Sequence, residues 1–571
     1  MDKLSKLTQY SATRSSVAII TLVVIGLVTY GNALGNQMFW DDDDSILHNV
    51  FIQDWSYFSK YFSENFISGA GIVSNYWRPV LLAVFSLEWH LWSHWAAGYH
   101  AVNIAVHVLN GVLLFWLLDG LFKRRWLAWT TALLFVIHPL QTEAVTYVTG
   151  LADPLFVLWT LTGLLAYIRM LRVRKKRGVW YALVLLCYAL ALMTKETAIV
   201  FPLLIVLVDL VERGGVSRNN VFACFKSTLP FFCLAISYVI LRATALNFQN
   251  TFNLYNETNP YTQSLTIRVL TFFKSLITYC GLLFWPKNLH MERSIPLARA
   301  LEPLAVFGAT IFFGLLTAAA LAVRRYPIIT FGIAWFFIGL APVSNIAVPI
   351  NGVLYEHWLY LPIVGVALIV VWGLGVLALR LRLVPLAALI LALSTGLLVN
   401  KTMARNAEWR DPVTFYSQTL RYAPTSYRVI NNLGMAYYDR GDMLHAEALY
   451  RQAIALDEDN PVAHHNLGNA LRSQGRREEA EQEFRQAITL DPSFLFSYNT
   501  LASLYLDAND YERARQVLEQ KLPQEAEPLQ TYWLLIQIAE KQGDMRAGNH
   551  YLDAALKMYP RHPLLLQLRG R

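Results

Sequence analysis

Up to about residue 400 the chain alternates long apolar runs with short polar turns, and beyond it apolar residues recur at helical spacing on one face only. The runs fall near 17–35, 98–120, 126–142, 154–171, 179–194, 197–211, 221–243, 303–323, 326–345, 359–379 and 384–400. Most approach the roughly 20 residues that cross a bilayer's hydrocarbon core. Lys195 and Glu196 interrupt the 179–211 pair. Two further stretches, 79–95 and 265–285, carry Glu88 and His90 or Arg268 and Lys274, and are expected to lie on the membrane face rather than cross it.

In the remaining part Leu433, Leu467, Leu501 and Leu535 stand 34 residues apart, and Gly441, Gly475, Asn509, Gly543 and Ala446, Ala480, Ala514, Gly548 keep the same step. That period predicts tetratricopeptide hairpins of two helices, none able to bury its apolar face without a neighbour. Small residues mark close helix crossings, and Tyr450, Phe484, Leu518 and Leu552 fill the spaces between them. The fold class is therefore all-α: a polytopic bundle of about eleven spans over residues 1–403, followed by an α-solenoid over 404–571.

Basic residues set the orientation, because Lys and Arg stay on the cytoplasmic side. Lys3, Lys6 and Arg14 precede the first run, and Lys123 to Arg125, Arg172 to Arg177, Glu212 to Arg218, Arg324 with Arg325, and Arg380 with Arg382 then all fall inside. An odd number of spans carries the repeats to the other side. The first run is expected to remain as a span, although Gly31 to Gly35 resembles a cleavage site.

Composition adds little to this pattern. Hydrophobic residues make up 55% of the chain and the net charge is +8, with a mean hydropathy of +0.35. The positive charge sits in the inner loops, so it reports membrane insertion rather than nucleic-acid binding. Cys187, Cys224, Cys233 and Cys280 lie in or beside apolar runs, without the spacing of a disulfide framework or a zinc site.

Polar groups worth explaining collect on the outer face. Phe39-Trp40-Asp41-Asp42-Asp43-Asp44 follows the first span. Four adjacent carboxylates repel one another and raise at least one pKa, which suits either a general base or an oxygen-ligand site for magnesium or manganese on Asp41, Asp42 and Asp43. A solvated acidic loop is the plain alternative. His138, Glu143 and Asp153 border a short second outer loop, where unpaired ionisable groups are costly; a capping cluster would explain them equally. Lys195 and Glu196, the pair Glu356-His357, and Arg78 complete the set. Such a surface fits a lipid-linked phosphate donor whose head group meets cations while an acceptor hydroxyl meets a carboxylate.

The order of the acidic pair, "YWRPV", "YHAVNIAVHVLN", "HPLQTEAV", "GLAD", "MTKE", "PVSNIAVP" and "EHWLYLP", with repeats after them, resembles the TMTC-type proteins and their bacterial relatives. These are GT-C membrane glycosyltransferases akin to protein O-mannosyltransferases. The resemblance implies transfer of a sugar from a polyprenyl-phosphate-linked donor to a protein acceptor on the periplasmic or lumenal side, with the repeats engaging the acceptor. The family's acidic pair falls on Asp41 and Asp42, followed by Ile46 and Asn49, and its second-loop residues fall on His138, Glu143 and Asp153. Two family arginines are missing, at Leu151 and His357, so Lys195, Arg78, His138 and His357 are the expected phosphate partners. Glu143, Asp153, Glu196 and Glu356 are expected to support them. Rival readings are a glycan polymerase or ligase of the same superfamily, and a silent envelope scaffold. The expected location is a bacterial inner membrane with periplasmic repeats; in a eukaryote it would be the ER membrane with lumenal repeats. The sequon Asn256-Glu257-Thr258 is weak evidence for the latter.

Overall fold

The computed structural model describes residues 2–173, 175–248, 260–293, 295–350, 352–525, 528–560 and 562–569. The sequon, Arg174 and the side chains of Lys3, Lys6 and Arg14 lie outside that description. Among the described residues there is no strand. The chain divides into two units, Met1–Phe415 and Tyr416–Arg571. The helix Val384–Glu408 continues through residue 403, and Trp409 and Phe415 pack on Phe39 within the first unit.

Every apolar run expected to span is helical in the first unit. Among the described residues eight helices are long and apolar enough to cross a membrane: Ser16–Gly35, Ala96–Phe122, Thr149–Arg172, Arg218–Ala243, Leu265–Phe284, Pro303–Ala322, Ile363–Arg380 and Val384–Glu408. Arg125–Ile137, Arg177–Leu192, Phe201–Glu212 and Pro327–Leu340 are shorter apolar helices. Leu265–Phe284, expected on the membrane face, has the length and hydropathy of a span. Its interruption at Lys274 is neutralised within the fold, since the ammonium reaches Glu302 at 2.8 Å and the Pro296 carbonyl at 3.0 Å. A linear reading counts that charge as bare.

Between Arg177–Leu192 and Phe201–Glu212 the helix stops at Lys195, which takes extended angles, and restarts with Pro202 in the first turn. The polar interruption is thus a break in the backbone at the end of a helix. Pro327–Leu340 crosses Ile363–Arg380 where Gly332 faces Gly365; a Cβ on Gly332 would lie 2.6 Å from the Gly365 carbonyl oxygen. Small residues at such a crossing let two backbones approach, which is the main source of packing energy where lipid already solvates apolar surface. Outward faces stay apolar, as at Leu386, Leu389, Leu393 and Leu397 on the last helix.

Several polar motif residues inside this bundle are bonded by protein. His107 donates from Nε2 to the Val136 carbonyl at 3.0 Å and accepts at Nδ1 from the Tyr360 hydroxyl at 2.8 Å, while Asn110 donates to the Pro154 carbonyl at 2.8 Å. Motif residues that look chemical in the sequence therefore tie helices together here.

In the second unit four helical hairpins repeat: Tyr427–Asp439 with Met443–Leu456, Pro461–Ser473 with Arg477–Leu490, Leu495–Asp507 with Tyr511–Lys521, and Leu529–Gln542 with Met545–Met558. The turn between the two helices is made by Gly441, Gly475, Asn509 and Gly543, all with positive φ. Asn509 stands in a glycine column because asparagine is the side chain that best tolerates that conformation. Leu433, Leu467, Leu501 and Leu535 are buried, as are Tyr450, Phe484, Leu518 and Leu552.

Candidate functional site

The acidic loop is organised by one strained residue. Trp40 has φ 65°, a left-handed conformation costing about 1–2 kcal/mol in a non-glycine residue. Its ring stacks on Tyr147 at 5.3 Å and 22°, and Tyr147 stacks on Trp409 at 5.5 Å and 29°. Each aromatic pair contributes about 0.5–1.5 kcal/mol beyond area burial, so two of them offset the strain.

The turn sends neighbouring carboxylates to opposite sides. Asp42 is buried and accepts hydrogen bonds from the Thr149 amide at 2.9 Å, the Thr149 hydroxyl at 2.5 Å and the Phe39 amide at 3.3 Å. Burial pushes its carboxyl up to about 7 despite those three donors. Asp41 is exposed and lies close enough to the phenols of Tyr147 and Tyr76 to act on both electrostatically. Asp43 and Asp44 open a wide turn over Asp43–Leu47, which Ile46 anchors in the core while Asn49 ties the loop to the Ser45 and Phe66 carbonyls. The expected metal site on Asp41, Asp42 and Asp43 does not form. Among the described residues no group of three or more His, Cys, Asp or Glu side chains is placed to hold a metal ion.

Each expected cation has a partner, and the partners differ from those the linear sequence suggests. Lys195 pairs with Asp153 rather than with adjacent Glu196, at 2.7 and 2.8 Å, with both side chains 8% exposed. Glu196 takes Arg78 in a two-point bond of 2.8 and 3.3 Å, and the guanidinium lies 4.3 Å from the Tyr76 ring centre. His357 bonds Glu143 through its amide at 3.0 Å and through Nδ1 at 2.9 Å. Burial alone would raise the Glu143 carboxyl; His357 outweighs it and holds the group below its ordinary value. His138 is committed at both ring nitrogens, to the Leu283 carbonyl at 3.2 Å and the Leu140 amide at 3.3 Å, so it caps a turn and has no nitrogen left for a phosphate.

Sequence reasoning found Glu356 and missed its partners His290, Arg293 and Arg405. Glu356 is fully buried, accepting from the His290 amide at 2.7 Å and Arg293 at 2.9 Å, with Arg405 at 3.6 Å from its other oxygen. Arg405 also bonds Glu408. A basic residue at the end of the last apolar run, on the side where the sequence reading expects few, was the available signal for Arg405. Tyr147, Thr149 and Trp409 carried none. The Tyr76 ring is within electrostatic reach of Arg78, Glu196, Asp41 and Tyr355, and Tyr355 stacks on His357 at 5.4 Å. Tyr76 and Tyr355 thus join the acidic loop to both ion-pair groups.

Two measurements probe this arrangement. Lys195→Met leaves Asp153 buried and unpaired, so unfolding stability in detergent should fall by about 3–5 kcal/mol, and Lys195→Met with Asp153→Leu should recover most of it. An unchanged single variant would show that the pair is solvated. For Asp42, the folded pKa of about 7 lies above the ordinary 3.8. The stability this contributes is complete below about pH 4 and lost as pH rises through 7. The parental melting temperature should therefore drop more between pH 4 and 7 than that of Asp42→Asn; parallel curves would contradict the buried, protonated carboxyl.

Comparison with known proteins agrees with both units. A TPR-repeat family model matches residues 434–472, and tetratricopeptide-repeat models match 461–494 and 497–520. Protein O-mannosyl-transferase F38B6.6 of Caenorhabditis elegans is 26% identical over 77% of this chain and 62% of its own length. Protein O-mannosyl-transferase TMTC4 of Homo sapiens is 25% identical over 75% and 64%, and TMTC3 of Mus musculus 25% identical over 78% and 52%. The chain thus spans between about half and two thirds of these relatives. It is an all-helical protein with C-terminal tetratricopeptide repeats, homologous over three quarters of its length to TMTC-type protein O-mannosyl-transferases.

Proposed function

We propose that this chain is a GT-C membrane glycosyltransferase that moves a sugar from a polyprenyl-phosphate-linked donor to a protein hydroxyl, with the repeats engaging the acceptor. The observation that carries the reading is the exposed Asp41 within electrostatic reach of Tyr76, whose ring lies 4.3 Å from the Arg78 guanidinium that pairs with Glu196. Sequence similarity to protein O-mannosyl-transferases makes mannose the first sugar to test.

In this mechanism the acceptor oxygen attacks the anomeric carbon and its proton passes to Asp41. The bond from that carbon to the phosphate oxygen breaks, and the lipid phosphate leaves with the electron pair. Arg78 faces the departing charge and shares its guanidinium between Glu196 and phosphate. Among the four cations considered it is best suited, because Glu196 is 41% exposed, so an anion can reach the pair, whereas Lys195 is closed in with Asp153. Asp42 is a positioning residue: by fixing Thr149 it fixes the turn that presents Asp41. No step is routed through a metal, since the acidic side chains do not converge.

Asp41→Asn should lower transfer from a polyprenyl-phosphate sugar by about 10²–10⁴-fold, the usual cost of losing a general base, with donor affinity retained. Arg78→Met should instead weaken donor binding. If Asp41→Asn transfers sugar at the parental rate, the loop is a solvated surface and a silent scaffold becomes the better account.

The orientation is part of the proposal: basic inner loops place Asp41 and the repeats outside the cytoplasm, in a bacterial inner membrane. Protease added to intact spheroplasts should remove the residues after about 416 and spare the helical bundle. Protection of the repeats in oriented cells would reverse the side assigned to the site.

A further inference from the structure

At the far ends of the helices from Asp153, a second site is formed that the transfer reaction does not use. A cavity of about 380 Å³ is lined by Met170 near the end of Ala152–Arg172, by Arg177, Gly178 and Tyr181 at the start of Arg177–Leu192, and by Lys226 and Ser227 near the start of Arg218–Ala243. Met170 is buried and forms its apolar base. Ser227 is already committed, donating to the Cys224 carbonyl at 2.9 Å and accepting from Tyr167 at 3.0 Å. The polar character of the cavity therefore comes from two cations and the Tyr181 phenol.

Among the described residues neither cation meets a carboxylate. The carboxylates on this side, Asp209, Glu212 and Asp119, are held by Arg213 at 2.6 Å, Arg172 at 2.6 Å and Arg125 at 3.8 Å. Arg177 and Lys226 make no ion pair among the described residues, and Lys226 rests 4.6 Å over the Phe222 ring. This contrasts with the outer face, where Arg78, Lys195 and His357 each hold a carboxylate. Exposed Val179, Phe222 and Phe225 flank the cavity, and Lys175 and Lys176 stand exposed beside it.

We propose that this cavity binds the phosphodiester head group of an anionic phospholipid, with its acyl chains lying along Phe222 and Phe225. Two unpaired cations at the end of membrane helices supply the attraction for a phosphate. The exposed aromatic flank distinguishes a lipid from free phosphate, because only the lipid has chains to cover it. Such a lipid would brace the Ala152–Arg172, Arg177–Leu192 and Arg218–Ala243 helices against one another at the end remote from the reaction.

The test uses the full chain purified in detergent and requires no transfer activity. Phosphatidylglycerol and phosphatidylcholine are titrated separately, with bound lipid counted by native mass spectrometry. Phosphatidylglycerol should bind in preference. Arg177→Ala with Lys226→Ala should weaken it by roughly 10- to 30-fold, while Arg380→Ala with Arg382→Ala leaves it unchanged. Where the first pair lowers the melting temperature in phosphatidylcholine, Arg177→Gln and Lys226→Gln are measured singly, each expected to weaken binding by about 3- to 5-fold. Parental affinity in the variants, or equal binding of the two lipids, overturns the proposal. Competition by inorganic phosphate that releases the lipid completely assigns the site to a free anion and overturns it as well.

Discussion

The candidate site rests on charge neutralisation. Water is scarce where Lys195, Asp153, Glu356 and Arg405 sit, each less than a tenth exposed, and an ion taken out of water without a partner costs several kcal/mol. The fold answers each of these four with an opposite charge from a distant part of the sequence. Lys195 is 42 residues from Asp153, Arg78 is 118 from Glu196, and His357 is 214 from Glu143. These bonds stitch the loops that follow separate apolar helices into one surface, and their net stabilisation is smaller than the cost of breaking any one. Pairing specifies the arrangement more than it strengthens it.

Within that frame the acidic loop has one degree of freedom removed by Trp40. A residue forced to φ 65° turns the chain so that Asp41 and Asp42, adjacent in sequence, serve different ends. One carboxyl is consumed holding Thr149 and the other is presented at the surface. Separation also lowers the repulsion that four consecutive carboxylates would suffer on one face. The Trp40–Tyr147–Trp409 stack resists relaxation of that turn, because rotating Trp40 back to ordinary angles withdraws its ring from Tyr147.

Much of the fold was legible because its signals are local. A 34-residue step, with left-handed turns at Gly441, Gly475, Asn509 and Gly543, announces hairpins without tertiary information, and apolar runs announce helices. Leu265–Phe284 looks too polar to span when Lys274 is counted as bare, whereas Glu302, nearly thirty residues on, answers it. The site residues were legible as types and opaque as pairs. Lys195 next to Glu196 suggests a bond along the chain, but extended angles at Lys195 point the two side chains toward different neighbours. Arg293, Tyr147 and Thr149 enter only through tertiary contact, which one sequence cannot display, and Arg405 showed its charge there but not its partners.

The two arginines missing from the family pattern have different structural meanings. Leu151 is fully buried in an apolar cluster with Leu81, Leu82, Phe85 and Leu155, so the cavity an arginine would need is filled and the surroundings are adapted to its absence. His357 still faces Glu143, and the Glu143 carboxyl also feels Arg405. A guanidinium supplied by the last long helix thus compensates part of the charge lost at 357. It cannot reproduce the geometry, since Arg405 is 4% exposed and engaged with Glu356 and Glu408. On the proposed reading the burden of meeting a phosphate shifts toward Arg78, because its carboxylate partner Glu196 is 41% exposed, whereas the partners of Lys195, His357 and Arg405 are closed in or shared.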